Sequence, residues 1–174
     1  RATRASSFDQ FKAPGWTFTI SLANNPKMVN FDCLQDIRPM DIALDGCTQF
    51  RDSDLARLEK RRGLKRITLR KTGVTFAGVA AFLQKTRIDY LRIDGVDDSN
   101  IETLLAGLKK AHTRDLGIEG KTLTLNGIRK LAALPNLAVL TIGGENVSRD
   151  DISDIKNLMP KLAVRKARVR QVDH

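Results

Sequence analysis

An apolar-x-apolar triplet recurs along this chain as Phe18-x-Ile20, Ile42-x-Leu44, Ile67-x-Leu69, Leu91-x-Ile93, Leu116-x-Ile118 and Leu140-x-Ile142. The first members are 24, 25, 24, 25 and 24 residues apart. Laying Leu137-Ala138-Val139 over Leu162-Ala163-Val164, each after a Pro-x dipeptide, carries the series toward the C-terminus. Alternation with period two predicts short strands with one buried face. A polar or glycine-bearing loop follows each triplet: Asp45-Gly46, Lys71-Thr72-Gly73, Asp94-Gly95, Glu119-Gly120 and Gly143-Gly144. Helical spacing comes next, in Leu55-Leu58, Val79-Phe82-Leu83, Ile101-Leu104-Leu105-Leu108, Ile128-Leu131-Leu134 and Ile152-Ile155-Leu158. Each unit therefore predicts a strand, a turn and a helix, and a unit that cannot bury its apolar side alone must stack on its neighbours.

The spacing Leu64-x-x-Ile67-x-Leu69 and Leu137-x-x-Leu140-x-Ile142, with Cys47 and Thr72 three places beyond the second core position of their units, resembles the leucine-rich-repeat family. The likeness runs from about residue 16 to residue 170, in a 24 to 25-residue variant with a full helix. It implies an α/β fold, a right-handed solenoid of about six or seven repeats with parallel strands on the concave face and helices on the convex face. Val96, Lys121 and Glu145 stand where the family carries its asparagine ladder, so a continuous ladder is not expected.

The ends of such a stack expose an apolar face. Residues 1–15 are expected to form an N-terminal cap or extension before a repeat domain spanning 16–174; Phe8, Phe11, Trp16 and Phe18 gather here, and Phe8 to Trp16 is expected to fold over the first strand. At the other end Arg165 stands where an apolar residue is expected, a polar substitution suited to an edge strand.

The length fits one folded unit, and no apolar run approaches a membrane span. Two cysteines, Cys33 and Cys47, exclude a disulfide framework and favour a reducing, intracellular compartment. The stretch Arg1-Ala2-Thr3-Arg4-Ala5-Ser6-Ser7 has the basic, acid-poor character of a transit remnant, which leaves an organelle open, and a trimmed start explains it equally.

Net charge is +10, and position decides what that means. Lys60-Arg61-Arg62, Lys85, Arg87, Lys109-Lys110, Arg129-Lys130 and Lys156 fall at or beyond the C-terminal halves of the predicted helices. Asp52, Asp54, Asp97-Asp98 and Asp150-Asp151 fall at their starts. That polarity complements the helix dipole, and repetition lines the cations up as a basic stripe along one edge. A second concentration, Lys161, Arg165, Lys166, Arg168 and Arg170, is a candidate polyanion-binding tail for RNA or an acidic surface, or a solvated end.

The x positions of the strands form the face on which the family meets its partners. They run Asp41, Ala43, Asp45; Arg66, Thr68, Arg70; Tyr90, Arg92, Asp94; Asp115, Gly117, Glu119; and Val139, Thr141, Gly143. Arg66, Arg70, Tyr90 and Arg92 form a basic-aromatic centre of the kind found in protein hot spots. The competing reading is cross-strand pairing, Arg92 with Asp94 or Asp115. Five interspersed acids argue against a phosphate-binding trough.

Little catalytic chemistry is visible. His112 and His174 have no nucleophile or carboxylate partner in sequence context, and there is no P-loop, dinucleotide fingerprint or zinc-protease motif. The run Asp94 to Asn100 lacks calcium-loop spacing and reads as a turn into a helix cap. Asn146-Val147-Ser148 is a glycosylation triplet that matters only in a secreted chain. The expected function is a non-enzymatic protein-binding or assembly module without cofactor or metal. The alternatives are a basic RNA or ribonucleoprotein factor and a structural subunit of a large complex.

Overall fold

The computed structural model describes residues 19–35, 40–59, 63–144 and 147–167. Outside the described residues lie the expected cap from Phe8 to Trp16, Phe18 of the first triplet, the run Lys60-Arg61-Arg62, Glu145 and Asn146, and the tail residues Arg168, Arg170 and His174, as does the side chain of Cys33.

Among the described residues seven strands form one all-parallel sheet in chain order: β1 Thr19–Ser21, β2 Asp41–Ala43, β3 Arg66–Thr68, β4 Tyr90–Ile93, β5 Asp115–Glu119, β6 Val139–Gly143 and β7 Ala163–Lys166. A 3-10 helix, Asp32–Gln35, joins β1 to β2. The later connections carry α1 Asp52–Arg57, α2 Phe76–Lys85, α3 Ile101–Ala111, α4 Leu125–Ala132 and α5 Arg149–Leu158. The expected alternation of strand and helix is therefore present throughout.

Register follows the triplet core. Ile42, Ile67, Leu91, Leu116 and Leu140 pair in one row, and each is buried. The row differs from expectation at both ends. Ile20, not Phe18, pairs with Ile42, which places β1 two residues out of the expected register, and Leu22 packs against the core beside it. At β7 the partner of Leu140 is Val164. The Leu-Ala-Val overlay is thus one residue out, because Leu137 precedes its row residue by three positions and Leu162 by two. Val164 supplies the apolar side chain expected at Arg165, and the polar replacement comes later, where Lys166 pairs with Ile142.

The helices close one side of the sheet. Val79, Phe82 and Leu83 of α2 and Ile101, Leu104, Leu105 and Leu108 of α3 share one continuous buried cluster with the strand row. Gly107 lets α2 and α3 approach closely, since a Cβ there would lie 2.8 Å from Ala80 Cα. In α5, Ile152 and Ile155 are buried but Leu158 is 59% exposed. Successive three-residue steps rotate backward around a helix, so the third apolar residue leaves the buried face and Met159 packs there instead.

Alternate units share a helix-start device. Thr75 Oγ1 accepts from Gly78 N and caps α2, while Asp52 accepts from both the Thr75 amide and hydroxyl at 2.7 Å. Thr124 caps α4 in the same way, held by Asp98 from the preceding unit. Cys47 is buried and its thiol donates to Leu22 O at 3.0 Å. Thr72 Oγ1 donates to Leu69 O, and Val96 is buried, but Lys121 at the equivalent offset is exposed. The inward positions of the last two turns are Leu123 and Val147, two residues further on.

Candidate functional site

The face away from the helices carries three rows of side chains. The first runs Asp41, Arg66, Tyr90, Asp115, Val139; the second Ala43, Thr68, Arg92, Gly117, Thr141, Arg165. The third lies at the strand exits and includes Asp45, Arg70, Asp94, Glu119 and Gly143. Register alone places the four predicted residues together, Arg66 and Arg70 on or just after β3, Tyr90 and Arg92 on β4.

They form two groups rather than one. At the strand starts the Arg66 guanidinium lies 4.2 Å from the Tyr90 ring centre, while its Nε donates to Asp41 at 3.2 Å. At the strand exits Arg70 donates to Asp45 through Nε and a terminal nitrogen, at 3.0 and 2.7 Å, and to Glu119 at 3.0 Å. Arg92 donates to the same Glu119 oxygen at 2.7 Å. Arg92 thus pairs with Glu119 rather than with Asp94 or Asp115. Arg92 and Glu119 each lie across the strand that follows their own, and each needs room there. Gly117 provides it under Arg92, whose Cγ would lie 3.1 Å from a Cβ at that position, and Gly143 does the same under Glu119.

Electrostatics follow from this wiring. Burial by itself would push the Glu119 carboxyl up, but hydrogen bonds from Arg92 and Arg70 together hold it below the usual glutamate range. Burial would likewise ease the proton off Arg70, and Asp45 and Glu119 outweigh it, so its affinity for the proton rises. Asp115 is the exception. Burial raises its carboxyl, and the charges of Arg66 and Arg165 only partly counter this. Because its folded value exceeds its unfolded one, Asp115 costs stability above the ordinary aspartate range and nothing below it. Asp115→Asn is therefore expected to raise stability by about 0.5 kcal/mol at neutral pH, with the gain fading below about pH 4. Urea unfolding of both chains at pH 7 and pH 3 checks this.

The strand exits of β3 to β7 enclose an open groove of about 1460 Å³. Arg70 and Arg92 line it, and so do Arg165 and Lys166 of the predicted basic tail, along with Lys71 and Lys121. The two clusters lie far apart in the sequence. The parallel order of the sheet brings them onto one rim. Arg66 and Tyr90 do not line this groove, and Lys161 stays in the exposed turn before β7.

Two other sequence features have structural roles. His112 ends α3 in the left-handed conformation and its Nδ1 lies 3.1 Å from the Asn136 side-chain nitrogen. Asp97 accepts from the Ser99 amide and hydroxyl and from the Asn100 amide, forming the turn into α3. The helix-edge cations are partly engaged, Lys85 by Glu59 at 2.9 Å, Lys130 by Glu102 at 2.6 Å and Arg57 by Asp32 at 2.6 Å. Among the described residues no three His, Cys, Asp or Glu side chains converge as metal ligands, and no helix is long and apolar enough to cross a membrane. No protein-family model matches the chain, and no curated protein matches it in sequence.

Proposed function

We propose that this chain is a right-handed leucine-rich-repeat solenoid that acts without catalysis, holding a protein partner against the exposed side of its sheet. Seven parallel strands in chain order, alternating with helices at a near-constant spacing, support the repeat reading. The observation that carries the binding reading is the wired array Arg66–Tyr90 and Arg70–Glu119–Arg92. Its side chains are already fixed by ion pairs and ring stacking, so little rotamer entropy is lost when a partner lands on them. Arg and Tyr are the residue types that anchor protein interfaces.

The alternative of a basic RNA-associated factor is less well supported by this face, where Asp41, Asp45, Asp94, Asp115 and Glu119 lie among the cations. The test is a photo-crosslinking amino acid in place of Tyr90, with recovery of crosslinked material from native lysate before and after nuclease. One defined protein, retained after nuclease and lost in an Arg66→Glu, Arg92→Glu chain that still folds, is the expected result. Nuclease-sensitive recovery, or recovery indifferent to both arginines, overturns the proposal.

A further inference from the structure

The exits of β1 to β4 share a backbone turn whose first residue is left-handed: Asn24 at φ 63°, Gly46 at φ 80°, Lys71 at φ 52° and Gly95 at φ 71°. Three of these are the residue types that tolerate this region, and Lys71 is not. Its amide donates to both carboxylate oxygens of Asp94 at 3.0 Å, which holds it there. Backbone strain of this kind persists where the surroundings over-determine it and clusters at ligand clamps, and Lys71 stands on the rim of the groove with its function set by the charges there.

The groove's acids are engaged from within: Glu119 by Arg70 and Arg92, Asp94 by the Lys71 amide, Asp97 by Ser99 and Asn100. Two of its cations, Lys71 and Arg165, are exposed and have no carboxylate within ion-pair distance among the described residues, whereas Lys166 stands in the row of buried Ile142 and its charge acts on Asp151 at the start of α5. The open charge is thus positive and sits at two places, the β3 exit and β7. Four strand steps separate them, about 19 Å at the usual inter-strand spacing. An extended chain covers that span in about six residues. Among the described residues no aromatic side chain lines the groove to stack a base, which disfavours single-stranded nucleic acid.

We infer that the strand-exit groove takes an extended, carboxylate-bearing protein segment, with acidic groups about six residues apart seated on Lys71 at one end and on Arg165 at the other. This rests on the protein-binding reading above and gives the partner its chemistry. Lys71 is then held in a strained conformation because glycine, which fits the turn better, would leave one end of the groove uncharged.

Lys71→Gly separates strain from use. The full chain is titrated by fluorescence anisotropy with a labelled synthetic peptide carrying two Glu-Glu pairs six residues apart, with a permuted peptide of adjacent glutamates, and with a polyuridylate of equal charge. The expected result is that Lys71→Gly raises the melting temperature by about 2 °C yet binds the spaced peptide about threefold more weakly. Adding Arg165→Gln should weaken it about tenfold in all. A lowered melting temperature, equal binding of both peptides, tighter binding of polyuridylate, or no binding of the spaced peptide overturns the inference. A Tyr90-crosslinked partner indifferent to Lys71 would overturn it while leaving the protein-binding reading intact.

Discussion

Gly120→Val is expected to lower stability by about 3 kcal/mol and to open the strand-exit groove. Gly120 is not among the left-handed residues, so its requirement is space rather than dihedral freedom. A Cβ at that position would run into the Val96 carbonyl, and one at Gly144 would run into the Gly120 carbonyl. The exit turns of β4, β5 and β6 therefore stack backbone on backbone, and the Gly120 amide donates to Gly143 O at 3.0 Å within that stack. A flexible side chain can move aside, whereas the backbone of these turns, tied to the next strand through Val96 N to Glu119 O and Gly120 N to Gly143 O, cannot move without carrying its neighbours. Gly95→Ala is the comparison. Its Cβ would meet only Phe76, at 3.9 Å, leaving the left-handed conformation as the whole cost, about 1 kcal/mol. Urea unfolding of the two chains distinguishes the effects. If Gly120→Val unfolds no more readily than Gly95→Ala, the stacked turns do not constrain the fold.

Where the alternation was short and bounded, it read correctly from residues alone. Ile42 to Leu140 form the row their spacing predicts. Phe18-x-Ile20-x-Leu22 is a longer alternating run, and a two-residue slip leaves the same side chains facing the core, so face polarity cannot choose between registers there. The observed choice is Ile20 against Ile42, after a connection built on a 3-10 helix rather than an α-helix. At β7 the repeated Leu-Ala-Val marked a shared turn rather than a shared register, since the Leu134 and Met159 carbonyls accept from the Leu137 and Leu162 amides alike. The candidate site was half legible. Strand periodicity put Arg70 and Arg92 on one face, but nearest-neighbour pairing could not find Glu119, which Arg70 reaches past the whole of β4. The signal available was small residues on that face. Gly117 and Gly143 mark where long side chains cross.

Glu119→Gln should show how far this network defines the site. The substitution keeps the shape and removes the charge that two guanidiniums share, Arg70 at 3.0 Å and Arg92 at 2.7 Å. Charge-assisted pairs of this kind are stronger than neutral ones, but the Glu119 side chain is 34% exposed and solvent screens it, so the expected loss is about 1 kcal/mol. The dependence on pH has a definite sign. The folded carboxyl titrates below its ordinary value, so its contribution is complete above the unfolded pKa of about 4.3 and disappears as pH falls through the lower folded value. Parent and Glu119→Gln chains should therefore differ in urea midpoint at pH 7 and converge at pH 2 to 3. Removing the one acid that occupies both arginines also adds to the positive charge open in the groove. The spaced acidic peptide is expected to bind Glu119→Gln about threefold more tightly even though the fold is weaker. A chain that loses stability and peptide affinity together would mean that Glu119 holds the arginines in their binding positions, and that the pairing, rather than the surplus charge, makes the groove competent.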